Sequence, residues 1–280
     1  MIVVTGATGQ LGRLVVSELL KTVPAAEVVA LARDPHKAAD LGVAARQGDY
    51  ADPASLEAAF AGADKLLLIS SSEVGQRVAQ HRNAIAAAKR AGVKLIAYTS
   101  ILHADSTPLG LGAEHRATEA LLRDSGVPHV LLRNGWYTEN YLASAPAAVA
   151  HGALLGAARD GRISSAARAD YAAAAAAVLT GEGHAGRVYE LAGDGSYTLA
   201  DFAAELARAS GKPVAYRDLP EAEFRAALEA AGLPAPIAAL LADSDAGAAK
   251  GGLFDDGGAL GRLIGRPTAP MAKMVAAAFA

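Results

Sequence analysis

The chain has 280 residues, 52% of them hydrophobic and 20% charged, with a formal net charge of −3 at pH 7. That is enough apolar material for one large α/β domain, or for one domain with a smaller appendage, and it lacks the basic excess that a nucleic-acid partner selects. There is no cysteine, which excludes disulfides, thiolate metal sites and thiol nucleophiles.

The opening Met1-Ile2-Val3-Val4-Thr5-Gly6 reads as a buried strand running into a turn, without the positive segment and cleavage site of a signal peptide. Strands are expected at Ile2–Thr5, Val28–Ala32, Ala44–Gln47, Lys65–Ser70, Leu95–Tyr98 and His129–Leu132. These short apolar runs suit a parallel sheet covered on both faces. Helical patterns lie between them. Leu11, Leu14, Val15 and Leu19 recur at helical spacing. Asp52-Pro53 reads as an N-cap followed by proline at the first helical position, and Gly92 and Gly126 suit left-handed helix ends.

Past Gly135 the pattern changes. A strand is expected at Val188–Leu191, helices at Leu199–Ser210, Glu221–Ala231 and Pro236–Leu241, and a loop over the Gly-, Ala- and Asp-rich Asp243–Gly258. The fold class that follows is α/β: a Rossmann-type doubly wound parallel sheet over residues 1–135, and a smaller, mostly helical C-terminal subdomain over 136–280, with some segments returning to the sheet. That subdomain is expected over the sheet's C-terminal edge. No apolar run approaches the roughly 20 residues of a membrane span. Alanine stretches such as Ala172–Ala177 are helix formers. A soluble cytoplasmic protein is expected.

Gly6-Ala7-Thr8-Gly9-Gln10-Leu11-Gly12 supplies Gly-x-x-Gly-x-x-Gly between a strand and a helix, the context in which such a loop binds a dinucleotide pyrophosphate. Gly6 permits the tight turn, Gly9 the approach of phosphate to backbone, and Gly12 close packing of helix on strand. The helix N-terminus adds N–H donors and partial positive charge. Residues 1–135 are thereby expected to bind NAD(P), and 136–280 the substrate. The cofactor is chosen at the end of the second strand, about 20 residues further on. Val28-Val29-Ala30-Leu31-Ala32 ends in Arg33, whose guanidinium can fork onto a 2′-phosphate and so favours NADPH. Asp34 follows. It can accept from a ribose hydroxyl, which would admit NADH, or it can cap a helix beginning at Pro35. Topology also nominates the third and fourth strand ends, Asp49 with Tyr50 and then Ser70, Ser71 and Ser72, as contacts of adenine and ribose, or else as ordinary turn and cap residues.

None of the eight tyrosines has a lysine four residues later, so the Tyr-x-x-x-Lys proton donor of short-chain dehydrogenases is absent. The expected helix instead carries His115 and Glu119, one turn apart on one face, as an acid/base pair or a surface pair. The absence restricts the chemistry. Reducing an isolated ketone makes an alkoxide that benefits from a positioned acid. Reducing a quinone makes a far less basic hydroquinone anion that water can protonate, so positioning the ring does most of the work.

The segments Thr5–Gly12, Arg33, Leu66–Arg77, Ile96–Ser100, Leu131–Tyr137 and Lys250–Asp256, together with the missing Tyr-x-x-x-Lys, resemble the NmrA-like atypical short-chain dehydrogenase/reductases. Among these they look like the bacterial NAD(P)H:quinone oxidoreductases of type 2, over essentially the whole chain. The resemblance implies a flavin-free, metal-free two-domain oxidoreductase that passes a hydride from NADPH to a quinone. It places Gly6–Leu11, Arg33 and Asn134 at the cofactor, and Trp136, Tyr137 and Asn140 by the quinone; Asp34 departs from the asparagine expected there. Trp136, the single tryptophan, would stack on the ring and Asn140 would donate to a quinone oxygen; the alternative is that Trp136 plugs an interdomain core. No catalytic side chain is expected. The alternative is a non-catalytic NmrA-like redox sensor, and only turnover separates the two.

Overall fold

Short apolar runs separated by helix-forming segments leave the chain few choices: parallel strands need crossovers, and each crossover is long enough here for a helix. A computed structural model of the protein describes residues 1–279. In chain order its first elements are β1 (Ile2–Val4), α1 (Gln10–Leu19), β2 (Val28–Ala32), β3 (Ala44–Gln47), α2 (Pro53–Phe60), β4 (Lys65–Leu68), α3 (Arg77–Arg90), β5 (Leu95–Ile101), α4 (Gly112–Ser125) and β6 (His129–Asn134). They are followed by α5 (Thr138–Leu142), α6 (Ala145–His151), β7 (Ala153–Gly156), α7 (Arg168–Thr180), β8 (Val188–Leu191), α8 (Leu199–Ser210), β9 (Ala215–Asp218), α9 (Glu221–Ala230), α10 (Ala235–Ala248), α11 (Ala259–Ile264) and α12 (Met271–Ala278). The chain divides into two compact units. The first comprises Met1–Ala104, Ala113–Asn134 and Arg168–Tyr189, and the second Asp105–Gly112, Gly135–Ala167 and the segment from Glu190 onward.

The principal sheet has the order β3-β2-β1-β4-β5-β6-β8, with β1 to β6 pairing in parallel. Strand order reverses between β1 and β4, which is where open α/β sheets form their binding crevice. Alternation sorts the side chains by face. Val3, Leu66, Leu68, Ile96 and Tyr98 join Leu56 and Phe60 of α2, Ala84 and Ala88 of α3 and Leu122 of α4 in one core cluster. On α1, Val15, Val16 and Leu19 are buried where it packs along α7, whose Ala172, Ala174 and Ala175 leave room for close approach. Lys65 secures α7 by donating to the Leu179 and Gly181 carbonyls at 2.7 and 3.1 Å, which caps the helix's negative end with a cation.

The expected signals for helix ends act as physics requires. Asp52 accepts from Ala54 and Ser55 N–H at 3.0 and 3.4 Å, and Gly92 and Gly126 take φ of +72° and +73° after α3 and α4. The edge strand β3 is largely exposed rather than covered on both faces. The structure corrects the C-terminal reading more substantially. Asp243–Ala248, expected as loop, is the second half of α10. The Asp243 carboxylate accepts from Gly110 N–H at 2.8 Å, Asp245 accepts from Ala157 N–H at 3.0 Å, and a Cβ on Gly247 would sit 2.8 Å from Leu109. These tertiary contacts hold a helix that composition alone disfavours. The second unit also carries a two-stranded parallel pair, β7 with β9, which periodicity did not reveal. Among the described residues no helix is long and apolar enough to cross a membrane.

Two histidines are interior polar groups. His81 on α3 and His115 on α4 are buried, and each is pushed down to a pKa of about 3, first by burial and then by the charge of Arg77. The order of the unfolded values is about 6.5. A pKa lower in the folded state means stability is full above pH 6.5 and lost as pH falls toward 3. Between pH 6.5 and 5 unfolding should take up about two protons at these imidazoles and release about one from Asp245, whose carboxyl pKa is raised by burial to about 6 in the folded state. Stability should then fall by a net of up to roughly 1.4 kcal/mol per pH unit, the value for one site. Urea midpoints at pH 7, 6 and 5 check this, and a flat profile would place charged imidazoles in the folded state. A second test concerns Gly12, where a Cβ would lie 2.3 Å from the Gly6 carbonyl oxygen and 2.7 Å from Ala7 Cα. Gly12→Ala should destabilise the protein by about 1–3 kcal/mol, as overpacking does. A wild-type denaturation midpoint would show that α1 can shift freely.

Candidate dinucleotide site

The site begins at the turn after β1. Gly6 takes φ +59°, a left-handed conformation open to glycine at little cost. Its carbonyl accepts from Gly9 N–H at 3.0 Å, closing the turn. Gly9 is the N-cap of α1 and has no side chain to cap with, and the first turn carries no acidic residue. The leading amides of α1 therefore lack an intrahelical acceptor and present partial positive charge. A Cβ on Gly9 would approach the Gly6 oxygen to 3.2 Å. Arg13 braces the turn from behind, donating to the Thr8 carbonyl at 3.3 Å, the Lys37 carbonyl at 2.6 Å and Asp40 at 2.7 Å.

A cavity of about 320 Å³ lies over this turn, at the reversal in strand order. Gly6, Thr8, Gly9, Gln10, Leu11 and Gly12 line one side. Arg33 at the end of β2, Asp49 and Tyr50 past β3, and Ser70, Ser71, Ser72 and Glu73 past β4 line the others, with Gln80 of α3 behind them. The structure thus gathers most of the residues the sequence nominated. Ala7 is fully buried with its N–H on the Leu31 carbonyl, and it does not line the cavity. Neither does Asn134, buried at the end of β6 with no partner on its Oδ1.

The walls differ in what they leave available. Asp34 is a cap: its carboxylate accepts from His36 N–H at 3.1 Å, with Pro35 at the first position of the turn that follows. Asp49 Oδ1 accepts from Ala51 N–H at 2.9 Å, an Asx turn. The Tyr50 hydroxyl is shared between Thr5 Oγ1 and the Ile69 carbonyl, tying the ends of β1 and β4 together, and burial pushes its pKa up. Arg33 reaches outward, 73% exposed, and donates to Glu73 Oε1 at 3.2 Å.

Ser71 is held at every polar atom. Its N–H donates to His81 Nε2 at 2.9 Å, its carbonyl accepts from Arg77 Nε at 2.7 Å, and its hydroxyl donates to Gln80 Oε1 and accepts from Glu73 N–H at 3.1 Å. Because an amide must donate, His81 Nε2 is the acceptor, and Nδ1–H then donates to Thr118 Oγ1 at 2.9 Å. Ser70 is anchored through Thr99 at 2.8 Å. Glu114 accepts from Gly75 N–H at 3.0 Å and pairs with Arg77 at 3.2 Å. The loop past β4 is therefore preset by α3 and α4. Sequence reading missed Arg13, Glu73, Arg77, Gln80 and His81. A signal existed: positions 77, 80, 81, 84 and 88 form one helical stripe, but its first half is polar and reads as a solvent face.

Both readings of His115 and Glu119 need correction. The two are buried rather than a surface pair, and each is engaged elsewhere rather than with the other. His115 Nδ1 bonds the Tyr98 hydroxyl at 2.7 Å. Glu119 accepts from Ser100 Oγ at 2.6 Å and takes a two-point clamp from Arg133, with Nε at 2.9 Å and Nη2 at 2.6 Å. The helix face that would carry a proton donor is closed by a buried ion pair. In the second unit, Trp136 is buried with its ring 6.5 Å from Tyr141, Tyr137 is the N-cap of α5, and Asn140 is half-buried within that helix.

A family model described as NAD(P)H-binding matches residues 6–182. Over 282 aligned positions the chain is 61% identical to quinone oxidoreductase 2 of Escherichia coli, covering 100% of this chain and 99% of that one. The crystal structure of the NADPH-dependent E. coli protein with NADPH matches with a TM-score of 0.98 over 100% of both chains. Triphenylmethane reductase of Citrobacter sp., in complex with NADP(H), matches at 38% identity and TM-score 0.95, covering 99% of this chain and 100% of that one. The transcriptional regulator NmrA, at 17% identity and TM-score 0.80, covers 99% and 95% and shares the fold. A glycine turn leading into an uncapped helix start suits a dinucleotide pyrophosphate and an arginine at the end of β2 suits a 2′-phosphate, and the chain belongs to the NAD(P)H-binding family and is related end to end to quinone oxidoreductase 2 of E. coli.

Proposed function

We propose that this chain is an NADPH-dependent, flavin-free quinone reductase acting in the cytoplasm, with no nucleic-acid or membrane partner. The observation that carries the reading is the end-to-end identity of 61% with a quinone oxidoreductase whose NADPH complex shares the whole fold. Bound NADPH would supply the hydride. The chain's own part is to bind and orient. Gly6, Thr8, Gly9, Gln10 and Leu11 receive the pyrophosphate at the start of α1, with Ala7 shaping the turn from beneath. Arg33 takes the 2′-phosphate, and Asp49 with Ser70, Ser71 and Ser72 borders the rest of the dinucleotide, Ser71 by shape since its polar atoms are spent. Asn134, with an unpartnered buried Oδ1, is assigned to the nicotinamide end. Trp136, Tyr137 and Asn140 are assigned to the quinone.

No proton donor is needed from the protein. His115 stays neutral well below pH 7 because it is buried, and Glu119 is consumed by Arg133 and Ser100. A hydroquinone anion is weakly basic and takes its proton from water, so a chain lacking an acid is suited to quinones and poorly suited to isolated ketones.

The purified protein should oxidise NADPH when simple benzoquinones are added; binding without turnover across a broad quinone panel would make it a sensor instead. His115→Ala should lower kcat less than about tenfold, against the 10²–10⁴ expected for a general acid. Arg33→Ala should weaken NADPH roughly 10–100-fold, the value of a charge-assisted hydrogen bond, and leave NADH nearly unchanged. Equal losses for both would move the 2′-phosphate elsewhere.

A further inference from the structure

Of the two roles the sequence leaves open for Asp34, the structure shows the cap, with the carboxylate turned onto His36 N–H. The carboxylate that meets Arg33 comes from 40 residues further along the chain. Glu73 Oε1 accepts from Arg33 Nη1 at 3.2 Å, and both residues border the cavity. Glu73 does not depend on Arg33 for its place. Its other oxygen accepts from Gln80 Nε2 at 2.7 Å, and its own N–H is bonded to Ser71 Oγ. Gln80 is 94% buried and is oriented by the Ser71 hydroxyl, and Ser71 is fixed in turn by His81 and Arg77. On the other side, the Gln47 amide donates to the Arg33 carbonyl at 3.4 Å, holding the arginine's backbone. A preset negative charge thus stands opposite a solvent-exposed positive one.

We propose that Glu73 is a counter-charge that sets nucleotide preference: it holds the Arg33 guanidinium while the site is empty and gives it up only to a ligand bearing a 2′-phosphate. This rests on the reading of the cavity as an NADPH site. A 2′-phosphate carries more charge than a carboxylate and accepts bidentately from the guanidinium, so it outcompetes Glu73. A ribose hydroxyl carries no charge and leaves the ion pair intact. The binding free energy of NADPH then includes the breaking of the Arg33–Glu73 pair and the approach of two negative groups, and that of NADH does not. Both partners are substantially exposed, 73% and 48%, so the pair is weak and the effect modest.

The test is calorimetric titration of the full chain with adenosine 2′,5′-bisphosphate and with adenosine 5′-monophosphate, which differ only in the 2′-phosphate and need no turnover. Glu73→Gln keeps an oxygen for Gln80 and removes the charge, so its melting temperature should match wild type. It should bind the bisphosphate about three- to fivefold more tightly and the monophosphate unchanged. In an Arg33→Ala background the same substitution should lose most of that gain. An unchanged bisphosphate affinity, an equal gain for both nucleotides, or a full gain without Arg33 overturns the proposal. Failure of the NADPH reading is separate: there the wild type does not prefer the bisphosphate and Arg33→Ala changes nothing, which removes both. A wild type that discriminates through Arg33 while Glu73→Gln has no effect removes the counter-charge alone.

Discussion

Position 12 has no room for a single carbon. With the Gly6 oxygen only 2.3 Å from where a Cβ would stand, α1 can lie against the end of β1 at the distance observed only if that residue is glycine. Much follows from this contact. It draws the N-terminus of α1 over the strand end, so that amides without acceptors border the cavity. It also sets the level at which α1 runs along α7, where alanines permit the approach and Lys65 fixes the far end. The turn residues contribute geometry and the helix contributes charge, and neither works without the other.

A second constraint lies beneath the loop past β4. A row of rings, Tyr50, His81, Tyr98 and His115, runs through the first unit with successive centroids 5.9, 5.4 and 5.9 Å apart. Its two hydroxyls, both nitrogens of His81 and Nδ1 of His115 are hydrogen-bonded, which avoids a desolvation cost of about 1–3 kcal/mol each. His81 joins this layer to the cavity wall by accepting from Ser71 N–H. The wall is therefore a rigid extension of α3 and α4. On α4, where the sequence lacks a tyrosine–lysine pair, the chain carries the Glu119–Arg133 clamp, a buried structural ion pair.

Several features were legible in the residues alone because they are local. The Gly-x-x-Gly-x-x-Gly turn, the Asp52-Pro53 cap, the helix-ending Gly92 and Gly126 and the strands at Val28–Ala32 and Ala44–Gln47 each answer to neighbours within a few positions, so chain order suffices to read them. The end of β2 could be located by counting, and with it Arg33. The α/β class followed from the alternation of apolar runs with helical periods.

The remainder was decided only when distant segments met. Asp243–Ala248 is helical because Gly110, Ala157 and Leu109 receive its side chains and its glycine. His115 and Glu119 are interior because Tyr98, Ser100 and Arg133 arrive from the sheet to satisfy them. The acid beside Arg33 is Glu73 rather than its neighbour Asp34, because the strand order sets the loop past β4 across the crevice from the end of β2. Sequence determined the backbone turn and the charges available to the site. Tertiary structure decided which charges face one another, since a polar side chain on a helix face is equally compatible with water and with a buried partner until the partner is in place.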